Sequence, residues 1–253
     1  MRPVKYDDVT VSSIGEVLGQ LEKQYEPQTD TVWFRGHSNG TWSLTPSLYR
    51  DDFKLEHEST LMTRFKQNAL PLLDYRPNSS WEWMFLMRHH GCPTRLLDWT
   101  ESPLVALYFA CQEDSAHDQK DGHLWCLLPT ALNEHWGMTG THLGDIPAFG
   151  SDILNDYSHQ SVVHARGIRK SPAAAIAPRE AGRMTVQQSV FTIHHVDTEP
   201  VETSGDTNHV WRLVIPSASK SSLRKQLATL GINRLSIFSD LDSVGHFAKQ
   251  AIQ

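Results

Sequence analysis

The stretch Arg88–Ala110, RHHGCPTRLLDWTESPLVALYFA, constrains the fold more than any other part of the chain. On its N-terminal side Ser80–Met87 continues into Arg88-His89-His90 without a breaker, which predicts a helix. Gly91 ends that helix, because a residue at positive φ just past the last turn is the usual exit. On the other side Ser102 is placed to cap a second helix, and Pro103 takes its first position, where a missing N–H costs nothing. Leu104, Val105, Leu107, Tyr108 and Ala110 are apolar almost all round, so this helix is expected to be buried. Between the helices, Cys92–Glu101 reads as a buried polar loop. Such a loop must satisfy its own groups or bind something that does. Either Arg95 pairs with Asp98 in a closed network, or the polar string forms the wall of a site; the wall is the expectation.

Earlier in the chain, Ser13 and Glu16 form a capping box for a helix over Ser12–Glu26, with Ile14, Val17, Leu18 and Leu21 at helical spacing. Thr31–Gly36, TVWFRG, reads as a strand, and the Asn39-Gly40 turn predicts Thr41–Leu44 as its hairpin partner. Arg35 lies at the end of that apolar strand, beside a glycine that would let a ligand approach the backbone. A guanidinium there suits a planar fork to phosphate or carboxylate. The alternative is an internal salt bridge, for instance to Asp98.

Leu55–Tyr75 predicts a long helix that Pro71 kinks or ends. Gly122–Pro129 is a short apolar run between turn residues, read as a buried strand. Residues 131–179 carry few periodic apolar positions and read as an insertion or long loop within a single domain spanning 1–253. Gly182–His195 reads as a strand. Within it Gln187 and Gln188 sit where the run turns hydrophobic, and a buried glutamine needs partners. A strand over Val210–Pro216, a helix over Ser219–Gly231, a short strand over Leu235–Phe238 and a last helix over Leu241–Ile252 follow. Helices lead and strands recur later, which indicates an α+β fold.

Composition narrows the function classes. A net charge of −6 argues against a general polyanion-binding surface, though not against a local basic patch. Cys92, Cys111 and Cys126 are odd in number and lack CxxC spacing, so a disulfide frame or zinc knuckle is not expected, and a reducing cytoplasmic setting fits. No run approaches the apolar length of a membrane span, and MRPVKYDDVT lacks the apolar core of a signal peptide. GxGxxG, Walker-type and GxSxG motifs are absent. His89-His90 and His194-His195 are each poorly arranged to chelate, since neighbours point apart on a helix or strand. Pairing one from each is a minor option, and no metal is expected. Cys92 suits packing better than it suits a thiol nucleophile.

Trp33-Phe34-Arg35-Gly36 and Arg88–Thr100 together resemble the FRG-domain family, named for its Phe-Arg-Gly signature. Ser102–Ala110, Arg183–Phe191 (with Ser189 where the family usually has Gly), Leu230-Gly231-Ile232 and Ser239–Asp242 look similar to further family stretches, so the resemblance covers Thr31–Phe247. In order, these motifs also resemble those of ADP-ribosyltransferases of the Arg-Ser-Glu type. That resemblance implies a split, mostly antiparallel β core flanked by helices. It implies that Arg35, with Gly36, grips the pyrophosphate of NAD, and that Thr94, Arg95, Asp98 and Thr100 shape the nicotinamide and ribose site. Trp99 would stack on a ring, Gln187 would contact the ribose or orient the acceptor, and His90 would serve as base or anchor.

One departure stands out. Where those transferases carry a catalytic glutamate, this chain has Gln187 or Ser189. Losing that charge costs a few kcal/mol of barrier, about two to three powers of ten in rate. Asp98, Glu101 and Glu180 are the candidates to supply a carboxylate instead. The resemblance therefore implies an NAD-consuming toxin or anti-phage effector that modifies RNA, DNA or protein, with an antitoxin as a further partner. An NAD glycohydrolase and a non-catalytic nucleotide- or partner-binding module are the alternatives; a metal-dependent nuclease is more distant.

Overall fold

Seven strands form one mostly antiparallel sheet: β1 (Val9–Thr10), β2 (Trp33–His37), β3 (Leu96–Thr100), β4 (Gly122–Leu127), β5 (Ala173–Ala175), β6 (Ser189–Ile193) and β7 (Val210–Ile215). Their order across the sheet is β1-β7-β4-β2-β3-β6-β5, and only β1 and β7 run parallel. The helices are α1 (Ile14–Gln24), α2 (Glu58–Ala69), α3 (Ser80–His89), α4 (Pro103–Ala110), α5 (Pro129–His135), α6 (His159–Val163), α7 (Gly182–Val186), α8 (Ser217–Thr229), α9 (Arg234–Phe238) and α10 (Leu241–Gln250). The computed structural model describes residues 6–25, 31–50, 54–113, 116–135, 137, 146–164, 170–178, 182–205 and 207–250. Among them, no helix is long and apolar enough to cross a membrane.

The fold is α+β, with a mixed sheet between helices. The sheet is continuous, yet its two halves barely hold together. β2 shares five register pairs with β4 but a single one with β3, Phe34 opposite Thr100. The halves accordingly carry separate cores on one face. Phe34, Leu124 and Leu213 pack against α1, α4 and α8. Leu96, Phe191 and Ile193 pack against α2 and α3. On the opposite face Trp33, Leu97, Trp99 and Trp125 make a third core. The seam between the first two cores is where the site lies.

Local chemistry explains most elements. Ser13 and Ser102 cap α1 and α4 through their hydroxyls, as their positions predict, and Ser79 does the same for α3. Gly91 leaves α3 at φ 75. Four expectations are overturned. Cys92–Glu101 is not a loop throughout: Leu96–Thr100 is a central strand whose Leu97 and Trp99 enter one core while Asp98 and Thr100 face the seam. Thr41–Leu44 does not pair with β2. Asn39 Oδ1 accepts from Thr41 N at 3.0 Å, and the backbone of Leu44 bonds the Glu202 carboxylate and Val201 N instead. Gly182–Val186 is helical and Gln188 turns at φ 47, so only Ser189–Ile193 is strand. Leu235–Phe238 is helical, because Asn233 and Ser236 make a capping box around its start. Within 131–179, the described residues supply α5, α6 and the edge strand β5.

Candidate functional site

One residue beyond Phe34↔Thr100, β2 and β3 part, and the Arg35 guanidinium enters the gap. Its Nη1 donates to the main-chain oxygen of Asp98 at 2.5 Å, and its Nε donates to His37 Nε2 at 3.0 Å. A side chain thus stands where the next ladder bond would be. The Asp98 carboxylate is clamped from α3: Arg88 Nε donates to Oδ2 at 2.8 Å, and Arg88 Nη2 donates to the same oxygen. Arg35 Nη1 lies 3.8 Å from that oxygen. Burial alone pushes the Asp98 carboxyl up, but the charge and hydrogen bonds of Arg88, with Arg35 behind them, hold it below the usual carboxylate range. Arg35 is pulled down to about 9, chiefly by burial, with Asp98 opposing and Arg88 and Arg50 adding repulsion, so it stays cationic at neutral pH. Burial and the Arg35 charge lower His37 to about 2, so its imidazole is neutral. Because Nε2 accepts from Arg35, the ring proton belongs on Nδ1.

A cavity of about 390 Å³ opens over this seam. Phe34, Phe85, Phe109 and Phe191 make its apolar wall; Arg88, Asp98, Arg183, Gln187 and Ser189 make its polar one. A second chamber of about 570 Å³ lies on the other side of Arg35 and shares Arg35, Gly36 and Phe109 with the first.

Of the residues expected at the site, Arg35, Asp98, Thr100 and Gln187 come together. Thr100 is a brace: its hydroxyl donates to Gln187 O at 2.6 Å and accepts from Ser102 N at 3.0 Å, tying β3 to the turn before β6. Gln187 faces the cavity, while Gln188 is exposed and turned out by its positive φ. Ser189, opposite Thr100 in register, lines the cavity beside it.

The other expected residues fall elsewhere. Gly36 lines both chambers, but its missing side chain serves packing: a Cβ there would sit 1.9 Å from Ala106 O and 2.5 Å from Ala110 N, the backbone of α4. Arg95 does not pair with Asp98 and does not reach the cavity. It is fully buried and donates to Glu58 Oε1 at 2.7 Å, His194 O at 2.7 Å and Tyr157 O at 2.9 Å. Thr94 is buried beside it, with its backbone bonded to Ser47 and Leu48. Trp99 contributes to the cavity lining, but its ring belongs to the third core and donates to Thr192 Oγ1 at 3.1 Å, so it does not offer a ligand there a stacking face. His90 is exposed and packs near Phe65; its neighbour His89 lines the cavity. Glu101 is exposed and outside the wall, and Glu180 lies outside the described residues.

The sequence assigns no site role to Arg88, Arg183 or His37, and His89 figures there only as half of a poorly chelating pair. Arg88 and Arg183 open the two motif stretches, and each ends up facing Asp98 across the seam, which is the one signal that marks them. Burial and the neighbouring His90 and Arg183 charges lower His89, so it is a neutral base at physiological pH. Among the described residues, Asp98 is the one carboxylate in the inner wall. Among those same residues, no three His, Cys, Asp or Glu side chains converge as a metal site would need.

The family model of the FRG domain matches residues 30–119, the stretch that carries Arg35, Arg88 and Asp98, so this part of the chain is an FRG domain. No curated protein and no solved structure gives a significant match. The α7–β6 rim, with Arg183, Gln187 and Ser189, lies beyond the matched residues.

Proposed function

We propose that this FRG-domain chain binds NAD across the gap between β2 and β3 and transfers its ADP-ribose to a macromolecule. The observation that carries the reading is the meeting of two chambers at Arg35, one walled by four phenylalanines and the other richer in polar groups. A dinucleotide has that shape: a planar ring at one end, charged phosphates in the middle and a second nucleoside beyond. Arg35 would hold the pyrophosphate as a fork. The phenylalanine wall would take the nicotinamide ring, with Gln187 and Ser189 bonding the carboxamide or ribose hydroxyls.

In the reaction, the bond between ribose C1′ and the nicotinamide nitrogen breaks and its electron pair leaves with nicotinamide. An acceptor nucleophile then bonds to C1′, and its proton passes to His89 or solvent. Asp98 is the group able to face the positive charge growing on the ribose, but Arg88 and Arg35 offset much of its field. The absent glutamate therefore predicts slow turnover, by about two to three powers of ten.

The test is mass spectrometry of wild type and Arg35→Ala after incubation with NAD and a mixed RNA, DNA and protein extract. Nicotinamide release with an ADP-ribose adduct, lost in the variant, supports the transferase and identifies the acceptor. Release without an adduct would point to a glycohydrolase. The clamped Asp98 favours one rival, a module that binds the nucleotide without cleaving it; stoichiometric NAD binding with no nicotinamide release would establish it. A toxin or anti-phage role, with an antitoxin as partner, follows from the family resemblance.

A further inference from the structure

Trp42 breaks the pattern of the other tryptophans. Among the described residues Trp33, Trp81, Trp83, Trp99, Trp125 and Trp211 are at most 7% exposed, whereas Trp42 is 40% exposed. It is nevertheless held in place, edge-to-face with His37 at 5.9 Å and with His117 at 4.9 Å between ring centroids. Its ring lines the outer chamber. An indole that is fixed and also open to solvent is a stacking platform, since every nucleobase offers it a π face.

The same chamber carries positive charge. Arg35 lines it as well as the inner cavity, and His37 beside it is 2% exposed, its Nε2 taken by Arg35 and its Nδ1 closed off from solvent against the Trp42 backbone. Arg50, whose Nε donates to Thr45 O at 2.7 Å, adds positive charge to the same wall, and Glu113 adds one carboxylate.

We infer that the outer chamber is a subsite for the adenosine-phosphate half of a dinucleotide, with the purine stacked on Trp42 and a phosphate oxygen held by Arg35 beside the Arg50 charge. The identity of the ligand rests on the NAD reading; the chemistry of the subsite, a planar base joined to an anion, rests on Trp42, Arg35 and Arg50. Glu113 and Gln112 supply acceptors for ribose hydroxyls or an exocyclic amine.

Calorimetric titration with ADP and with nicotinamide mononucleotide, which lacks adenosine, tests the assignment. Trp42→Ala is expected to weaken ADP about ten- to hundredfold, the scale of one base–aromatic stack, and to leave the mononucleotide unchanged. Trp42→Phe retains most ADP affinity and controls for folding. Arg50→Gln removes one cation from the chamber wall and is expected to weaken ADP while sparing adenosine. No ADP binding by folded wild type, or equal affinity in Trp42→Ala, overturns the subsite. Should NAD still be consumed with KM unmoved by Trp42→Ala, the subsite falls and the transferase reading stands. Should ADP bind in a Trp42-dependent way with no NAD consumption, the transferase falls and the subsite stands.

Discussion

Gly36→Ala separates two accounts of the Arg-Gly pair. If the glycine admits a ligand to the backbone, alanine should fold normally and bind poorly. The structure predicts the reverse order of events. A Cβ at Gly36 would lie 1.9 Å from Ala106 O and 2.5 Å from Ala110 N, where ordinary contact begins at 3.4 Å. The obstacle is helix backbone, so α4 must retreat by about 1.5 Å from β2. It cannot do so freely, because Ala106, Leu107 and Ala110 are fully buried in the same core. Overpacking against side chains costs about 1–3 kcal/mol; against backbone the upper end applies, about 3 kcal/mol or more. For a chain of this size that is a drop in Tm of roughly 6–12 °C. Thermal and urea unfolding of Gly36→Ala measure it directly. Gly19→Ala, in α1 with open space around it, is the control and should gain about 0.5–1 kcal/mol. A Gly36→Ala protein that melts within about 2 °C of wild type yet has lost nucleotide binding would refute the packing argument.

Three further outcomes are expected. Asp98→Asn should keep or tighten ADP affinity, since it frees two guanidinium groups, while lowering nicotinamide release about 100- to 1,000-fold; equal turnover would reduce Asp98 to a clamp. His89→Ala should slow adduct formation and shift its pH profile, whereas His90→Ala should match wild type, and the opposite ranking would contradict the placement of the two rings. Arg95→Met should destabilise by about 3–5 kcal/mol by stranding the buried Glu58 carboxylate, with ligand affinity unchanged where the protein is folded. Burial raises Glu58, but the charges and hydrogen bonds of Arg95 and His159 outweigh it and leave its pKa below 4.5. Its contribution is therefore present above pH 4.5 and lost as pH falls through the lower folded value. Glu58→Gln should flatten that acid limb of stability, seen by urea unfolding from pH 7 downward.

What could be read from the chain follows the range of the physics. Caps and helix stops depend on a few adjacent residues, and Ser13, Ser102, Pro103 and Gly91 placed three helices correctly. The chain offers Asp98 two partners, Arg35 and Arg95, as alternatives to a ligand, and of these the structure pairs it with Arg35 while Arg95 goes to Glu58. The errors share a different cause. Arg95 looks equivalent to Arg88 in sequence, yet one is fully buried against Glu58 and the other faces the cavity, a difference set by α2, which is remote in the chain. His89 and His90 differ by 100° of helix phase, and a one-residue shift reverses their roles. Trp99 and Asp98 alternate across β3, so reading the segment as a loop concealed that only one of them could reach a ligand. Leu235–Phe238 is too short for periodicity to decide between strand and helix.

The charge balance at the seam connects these residues to a mechanism. In a chain of net charge −6, the inner wall carries Arg35, Arg88 and Arg183 against Asp98 alone. Arg88 spends two donors on Asp98, which leaves Arg35 with one charged end directed into the gap and Arg183 beyond it, seated over the Phe238 ring at 4.5 Å. Such a wall attracts a diphosphate strongly and opposes a developing ribosyl cation. In the proposed reaction, binding and bond cleavage would therefore make conflicting demands on the same guanidinium groups, and tight nucleotide binding with slow cleavage is the expected outcome. An acceptor that brings its own negative charge, such as a phosphate near its nucleophile, would shift the balance by pairing with Arg183 and weakening the repulsion at C1′.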